Sequence, residues 1–230
     1  MPKKQKGHPG TVVLFVRHGL TPTTGKELPE QGPGPGLTEQ GTWQAEQAGL
    51  YIAQLRPSLP PLAALVSSPL TRTMQTARAV ADAVGLEVLP EPALVDCDTG
   101  EWAGSKLTDL AKKPEWSTVQ HYPSTFAFPG GETMSGMQAR MASVAHRLVR
   151  DYAGKSVIAV SHSDPIKSVL ADALGMHLDM FQRITVSPAS VSIISYGPAG
   201  PSVLVCNWVT PAQPPPAGGP GATPTAEGKS

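Results

Sequence analysis

Two histidines carry the strongest chemical signal in this chain. Thr11-Val12-Val13-Leu14-Phe15-Val16 is a run rich in β-branched residues that ends in Arg17-His18-Gly19. Ser156-Val157-Ile158-Ala159-Val160 repeats the grammar and ends in Ser161-His162-Ser163-Asp164-Pro165. Imidazole has an ordinary pKa near 6.5, so at neutral pH it is mostly unprotonated yet readily charged, and it can act as nucleophile or proton donor. Arg17 beside His18 adds a guanidinium fork, and Arg72 in a helix's first turns adds another; such forks hold phosphate oxygens bidentately. A cation near a helix N-terminus is disfavoured by roughly 0.3–1 kcal/mol, which makes better sense if an anion shares that end. The stretch Asp96-Cys97-Asp98-Thr99-Gly100-Glu101 offers carboxylates in a loop. Together these groups suit a phosphate monoester. A neutral imidazole attacks phosphorus in line, and a second donates to the equatorial oxygens as charge builds. A carboxylic acid protonates the leaving oxygen and later takes a proton from attacking water.

The elements that must position these groups follow from local pattern. Both histidine runs read as buried strands, and chemistry delivered at strand tips sits where open α/β sheets bind ligands. Gly19 permits a sharp turn or a close approach. The loop Leu20–Leu37 contains Gly32-Pro33-Gly34-Pro35-Gly36, which is no phosphate cradle, because each proline removes an N–H donor; it reads as a surface loop or a mobile rim. Thr38 caps a helix over Glu39–Leu55, with Ala45, Ala48, Leu50, Ile52 and Leu55 on its inner side. Leu62–Ser67 is a strand, and Ser68-Pro69 reads as N-cap and first-turn proline of the helix carrying Arg72. Leu86–Leu89 is a short strand, residues 105–130 are irregular or weakly helical, and an amphipathic helix spans about Glu132–Tyr152. Asp164-Pro165 reads as another N-cap and proline, which sets His162 just ahead of a helix N-terminus, and Leu174-Gly175 ends that helix. Val191–Tyr196 and Ser202–Trp208 close the sheet. The alternation predicts an α/β fold, a three-layer α/β/α sandwich with a mostly parallel central sheet.

The totals bound the rest. With 230 residues the chain suits one domain, expected over residues 11–210, after a flexible N-terminus at 1–10. Residues 211–230 are Pro-, Gly- and Ala-rich and are expected to be a disordered tail. The 18 basic residues balance 18 acidic ones, so neither nucleic acid nor a membrane surface is expected as partner. No window approaches a transmembrane span. Cys97 and Cys206 have no metal-ligand spacing, so a reduced, cytoplasmic enzyme without metal or cofactor is expected. The edge near Ser202–Trp208 makes a homodimer conceivable.

Several separated motifs make the chain resemble the histidine phosphatase superfamily, in its phosphoglycerate-mutase-like branch, over residues 11–208. Arg17-His18-Gly19 is similar to that family's R-H-G nucleophile motif, and Leu37-Thr38-Glu39-Gln40-Gly41 to its L-T-E-x-G helix start. Ser67-Ser68-Pro69-Leu70-Thr71-Arg72-Thr73 resembles S-S-P-L-x-R-T, whose arginine binds phosphate. Pro129-Gly130-Gly131-Glu132 resembles P-G-G-E, and Val160-Ser161-His162 the motif of the second histidine. The His162 run and Phe181-Gln182-Arg183-Ile184 look closest to an actinobacterial subgroup of probable phosphomutases. The resemblance implies a phosphoglycerate-mutase-like fold, His18 as the phosphorylated nucleophile, and Arg17, Arg72 and His162 as the phosphate pocket. Three positions depart from the pattern. Asp96 stands where the family's proton donor is usually Glu, with Asp98 and Glu101 as substitutes. Ser163 replaces a usual Gly, and Thr24 stands where many relatives contact phosphate through Asn.

The function so implied is metal-independent hydrolysis of a small phosphorylated molecule through a phosphohistidine on His18. A bisphosphoglycerate-dependent phosphomutase is the alternative within enzymes, and a non-catalytic phosphate-ligand binder the alternative outside them. A zinc site from His18, His162 and Asp96 is disfavoured by the neighbouring arginines. Lys106, Lys112, Lys113, His121 and Tyr122 either meet an acidic leaving group or lie on the surface. Trp102 and Trp116 are expected in the core.

Overall fold

The computed structural model describes residues 10–30 and 32–210. The expected flexible start, Gly10 apart, and the expected tail lie outside the described residues. The chain runs β1 (Thr11–Arg17), α1 (Glu39–Leu55), β2 (Leu62–Ser67), α2 (Thr71–Val84), β3 (Val88–Pro90), α3 (Leu107–Leu110), α4 (Pro114–His121), α5 (Met134–Asp151), β4 (Ser156–Ser161), α6 (Ser163–Ala173), β5 (Val191–Gly197) and β6 (Gly200–Trp208). One sheet orders the strands β3-β2-β4-β1-β5-β6. The pairs β1·β4, β2·β4 and β2·β3 are parallel, whereas β5 pairs antiparallel with both β1 and β6.

Side-chain alternation along β1 explains the layers. Val13 and Phe15 face a core shared with Met137, Met141 and Val144 of α5 and Ile166 of α6. Val12, Leu14 and Val16 face the opposite core, built with Ala48 and Ile52 of α1 and Ala77 and Val80 of α2. Burying a side chain such as Phe15 or Leu14, both fully enclosed, contributes roughly 1.5–3 kcal/mol. A strand buried on both faces must be apolar throughout, which is why the histidine runs lack polar alternation until their tips. The result is the expected α/β/α sandwich with a mostly parallel sheet.

Three local expectations change, while the weakly helical reading of 105–130 holds. Leu50 is exposed, not inward, while Ala45, Ala48 and Ile52 are buried as the helical period requires. Helix α2 starts at Thr71 with Leu70 as N-cap and no capping side chain, so Ser68 does not cap it. Helix α6 starts at Ser163 with His162 as N-cap, which puts Asp164 in the first turn. The segment 105–130 holds two short helices, α3 and α4, around an aromatic cluster; within it Trp102 and Phe128 are edge-on at 5.7 Å and Phe126 and Phe128 at 5.0 Å. Trp102 is buried and Trp116 half-buried against the same core.

Candidate active site

Strands β1 and β4 are adjacent and in register, with Arg17 opposite Ser161, so their tips deliver His18 and His162 side by side. The two rings stand 5.3 Å apart between centroids at 60°. Two glycines make room for this. A Cβ on Gly19 would collide with the Gly41 carbonyl, and one on Gly41 with the Leu20 carbonyl. The glycine of the α1 start therefore exists to let the helix seat directly against the His18 turn. Thr38 fastens the same junction, capping α1 by accepting from Gly41 N at 3.0 Å and donating to the Leu20 carbonyl.

Hydrogen-bond partners assign the tautomers. His18 Nδ1 lies 2.8 Å from the Gly19 carbonyl. A carbonyl only accepts, so Nδ1 carries the hydrogen and Nε2 keeps the lone pair. At His162, Nδ1 accepts from Arg72 Nε at 3.3 Å, so Nε2–H donates to Ser68 Oγ at 2.9 Å. Both rings are held neutral. Burial pushes the His18 pKa well below its ordinary value, reinforced by His162, Arg17 and Arg72; burial does the same to His162, reinforced by Arg72, Arg17 and Arg140.

Cations and an acid complete the group. Arg17 Nη1 donates to the Val186 carbonyl at 2.6 Å, while its Nε is buried without a hydrogen-bond partner among the described residues. Arg72, also buried, reaches Asp96 Oδ2 through Nη2 at 3.3 Å, and that oxygen is 3.4 Å from His162 Nδ1. A buried orphan donor beside a second guanidinium is a site built for an anion.

Of the three carboxylates in the 96–101 loop, geometry brings Asp96 to the group. Asp98 accepts from Gly100 N and closes its own loop, and Glu101 is exposed. The Asp96 loop is interlocked with Pro129-Gly130-Gly131-Glu132 through Glu101 N to the Pro129 carbonyl and Glu132 N to the Asp98 carbonyl, each 2.8 Å. Arg140 clamps it further, with donations to the carbonyls of Ala93 at 2.8 Å, Val95 at 3.0 Å and Asp96 at 3.4 Å, and two hydrogen bonds to the Glu132 carboxylate.

Arg17, His18, Arg72 and Asp96 line the inner end of a cleft of about 470 Å³, and the fully buried His162 stands behind them. Thr24 and Ser163 line it too, but the Thr24 hydroxyl is engaged by Thr21, at 3.0 Å to N and 2.8 Å to Oγ1. Pro35 of the glycine-proline loop reaches the rim, and Gly34 lies against Arg72. Lys106, Lys112, Lys113, His121 and Tyr122 do not line it. Lys112 pairs with Asp109, Lys113 sits over the Trp102 ring at 5.5 Å, and Lys106, His121 and Tyr122 are exposed. Ser68 and Arg140 escape a reading by sequence, since their partners lie at |i−j| of 94 and 44. Among the described residues no cluster of three or more His, Cys, Asp and Glu could hold a metal ion. Nor is any helix long and apolar enough to cross a membrane.

Known proteins resemble this chain in sequence and in fold. The bifunctional protein Rv2228c of Mycobacterium tuberculosis is 35% identical over 198 residues, covering 84% of this chain and 52% of that protein, so the chain spans about half the length of that relative. Phosphoserine phosphatase 1 of Hydrogenobacter thermophilus is 31% identical over 162 residues, 70% of this chain and 74% of that one. The fold matches a mycobacterial glucosyl-3-phosphoglycerate phosphatase at a TM-score of 0.74 and 24% identity, over 86% of this chain and 99% of that one. The model of the histidine phosphatase superfamily (branch 1) matches residues 13–209, and the chain belongs to that superfamily.

Proposed function

We propose that the chain is a metal-independent phosphatase that hydrolyses a small phosphate monoester through a phosphohistidine on His18. The observation that carries this reading is the neutral His18 ring, whose Nδ1–H is tied to the Gly19 carbonyl so that the Nε2 lone pair is the reactive one. Arg17 and Arg72 bind the phosphate oxygens, the first through the Nε that is otherwise unpartnered. His18 Nε2 attacks phosphorus while the bond to the alcohol oxygen breaks, and Asp96 in its acid form gives that oxygen a proton. The arriving phosphate favours a proton on His162, whose Nδ1 then donates to the equatorial oxygens, while Ser68 fixes the ring from its other side. Water next attacks the phosphohistidine, the Asp96 carboxylate takes its proton, and the P–N bond breaks to release inorganic phosphate and restore the ring. Thr24 and Ser163 shape the phosphate pocket from the cleft wall.

The test is release of phosphate from an activated aryl ester with EDTA present. Turnover that survives the chelator and falls by about 10⁴-fold or more in His18→Ala is the expected result. Turnover retained by His18→Ala, or phosphoryl groups passed between sugar-acid hydroxyls with negligible release to water, would contradict it.

A further inference from the structure

The cleft continues well beyond the phosphate pole, and its outer part has a different character. Leu28, Leu107, Trp116, Val119 and Phe128 give it an apolar wall. Three carboxylates, Glu27, Glu30 and Asp164, also line it. Among the described residues, Arg17 and Arg72 are the only cationic side chains on the lining, and both belong to the inner pole. The ammonium of Lys167 lies nearby but is engaged, 2.8 Å from Gln182 Oε1 and 3.7 Å from Asp164 Oδ1. Lys26, on the segment that forms the rim, donates to the Pro22 carbonyl at 3.0 Å. Neither Glu27 nor Glu30 has an ion-pair partner within 4.0 Å among the described residues. Glu30 Oε1 rests against Gly104, where a Cβ would stand 3.0 Å away, so the bare backbone there lets the carboxylate lie on the cleft wall.

We infer that the substrate is a phosphomonoester of an alcohol with an apolar body and no carboxylate or second phosphate, and that Glu27 and Glu30 select against anionic leaving groups. This rests on the phosphatase reading, because it takes the inner pole as the place of the ester phosphate. A carboxylate on the alcohol would meet Glu27 and Glu30 on an outer lining that carries no cation, although Lys106 is bridged to Glu27 through the backbone and Glu30 is exposed. Discrimination by an unpaired like charge is the repulsive half of specificity. An uncharged alcohol meets only the apolar wall, and an ammonium gains from both carboxylates. Phosphoserine and glucosyl-3-phosphoglycerate each carry a carboxylate, so the chain's preferred ester differs from those for which these two similar proteins are named.

Three aryl esters whose phenols ionise alike test this on the full chain with EDTA: 4-(2-aminoethyl)phenyl phosphate, 4-ethylphenyl phosphate and 4-(carboxymethyl)phenyl phosphate. The expected kcat/KM for the carboxymethyl ester is at least about tenfold below that for the aminoethyl ester, and the ratio shrinks to within about threefold in Glu27→Gln/Glu30→Gln. Equal turnover of the three by the unaltered chain, or a ratio unmoved by the double substitution, would overturn the inference while leaving the phosphatase reading intact. No turnover of any of the three would overturn that reading and the inference with it.

Discussion

The two ends of the cleft are held in place by different forces. At the inner end, His18, His162, Arg72 and Asp96 each have fixed polar partners, and those partners are backbone groups, Ser68 Oγ or one another. At the outer end the wall is aromatic and aliphatic packing carried by the four-residue α3 and the eight-residue α4, with Phe128 from the segment after them and Leu28 from the loop between β1 and α1. Trp102, Trp116, Phe126 and Phe128 fill the space behind it at centroid distances between 5.0 and 6.4 Å. Directional bonds fix angles to a few degrees, as in-line phosphoryl transfer demands, whereas apolar packing excludes water and fixes shape only broadly. On the proposed function, rate belongs to the strand tips, and choice of alcohol to the short helices together with Glu27 and Glu30 on the loop between β1 and α1.

On the proposed mechanism, replacing Asp96 should break the inner end most severely after replacing His18. Asp96→Asn is expected to lower kcat on an alkyl phosphate by about 10²–10³-fold and on 4-nitrophenyl phosphate by less than about tenfold, because a good leaving group needs no proton. Equal losses on both esters would assign the donor elsewhere. A smaller effect is expected from Arg140→Ala, which touches no substrate. Loosening the Asp96 loop should cost about tenfold in kcat and steepen the dependence on leaving group in the same sense as Asp96→Asn. A loss that is uniform across leaving groups would reduce Arg140 to a fold-supporting residue.

The smallest expected effect concerns stability and pH. Burial holds His18 and His162 below their ordinary pKa, so as the pH falls through about 6.5 the unfolded chain takes up protons at these sites and the folded chain does not. The stability they contribute is complete above that pH and is lost as the pH drops toward the folded values. Tm should therefore fall from pH 7.5 to pH 5, and fall by a few degrees less in His162→Gln, about 2–4 °C for each kcal/mol of linkage. An equal or larger fall in the variant would contradict the assignment of a buried neutral ring.

Much of the fold was legible because it is local. A strand buried on both faces writes itself as an unbroken apolar run, and Thr38 announced α1 through a cap three residues from its donor. The misreadings came where a tertiary partner claimed a residue with a local alternative. Ser68 before proline has the pattern of an N-cap, but its hydroxyl serves His162, and α2 begins without a capping side chain. Asp164-Pro165 has the same pattern, yet the His162 backbone takes the cap position and Asp164 turns to the cleft. His18, His162 and Arg17 at the strand tips and Arg72 in the first turn of α2 were readable from type and flanking pattern, and Asp96 from the loop it stands in. Arg140, Glu27 and Glu30 were not, since a clamp across α5 and a charge on an irregular loop leave no periodic trace.

The proposed mechanism turns on a covalent bond to one nitrogen. Mixing the protein rapidly with an aryl phosphate, quenching in alkali and sequencing the peptides by mass spectrometry reads it directly. One phosphoryl group on the peptide carrying His18, absent in His18→Ala and longer-lived in Asp96→Asn, is the predicted result. Steady turnover with no phosphorylated peptide, or a phosphoryl group on any other residue, would contradict it.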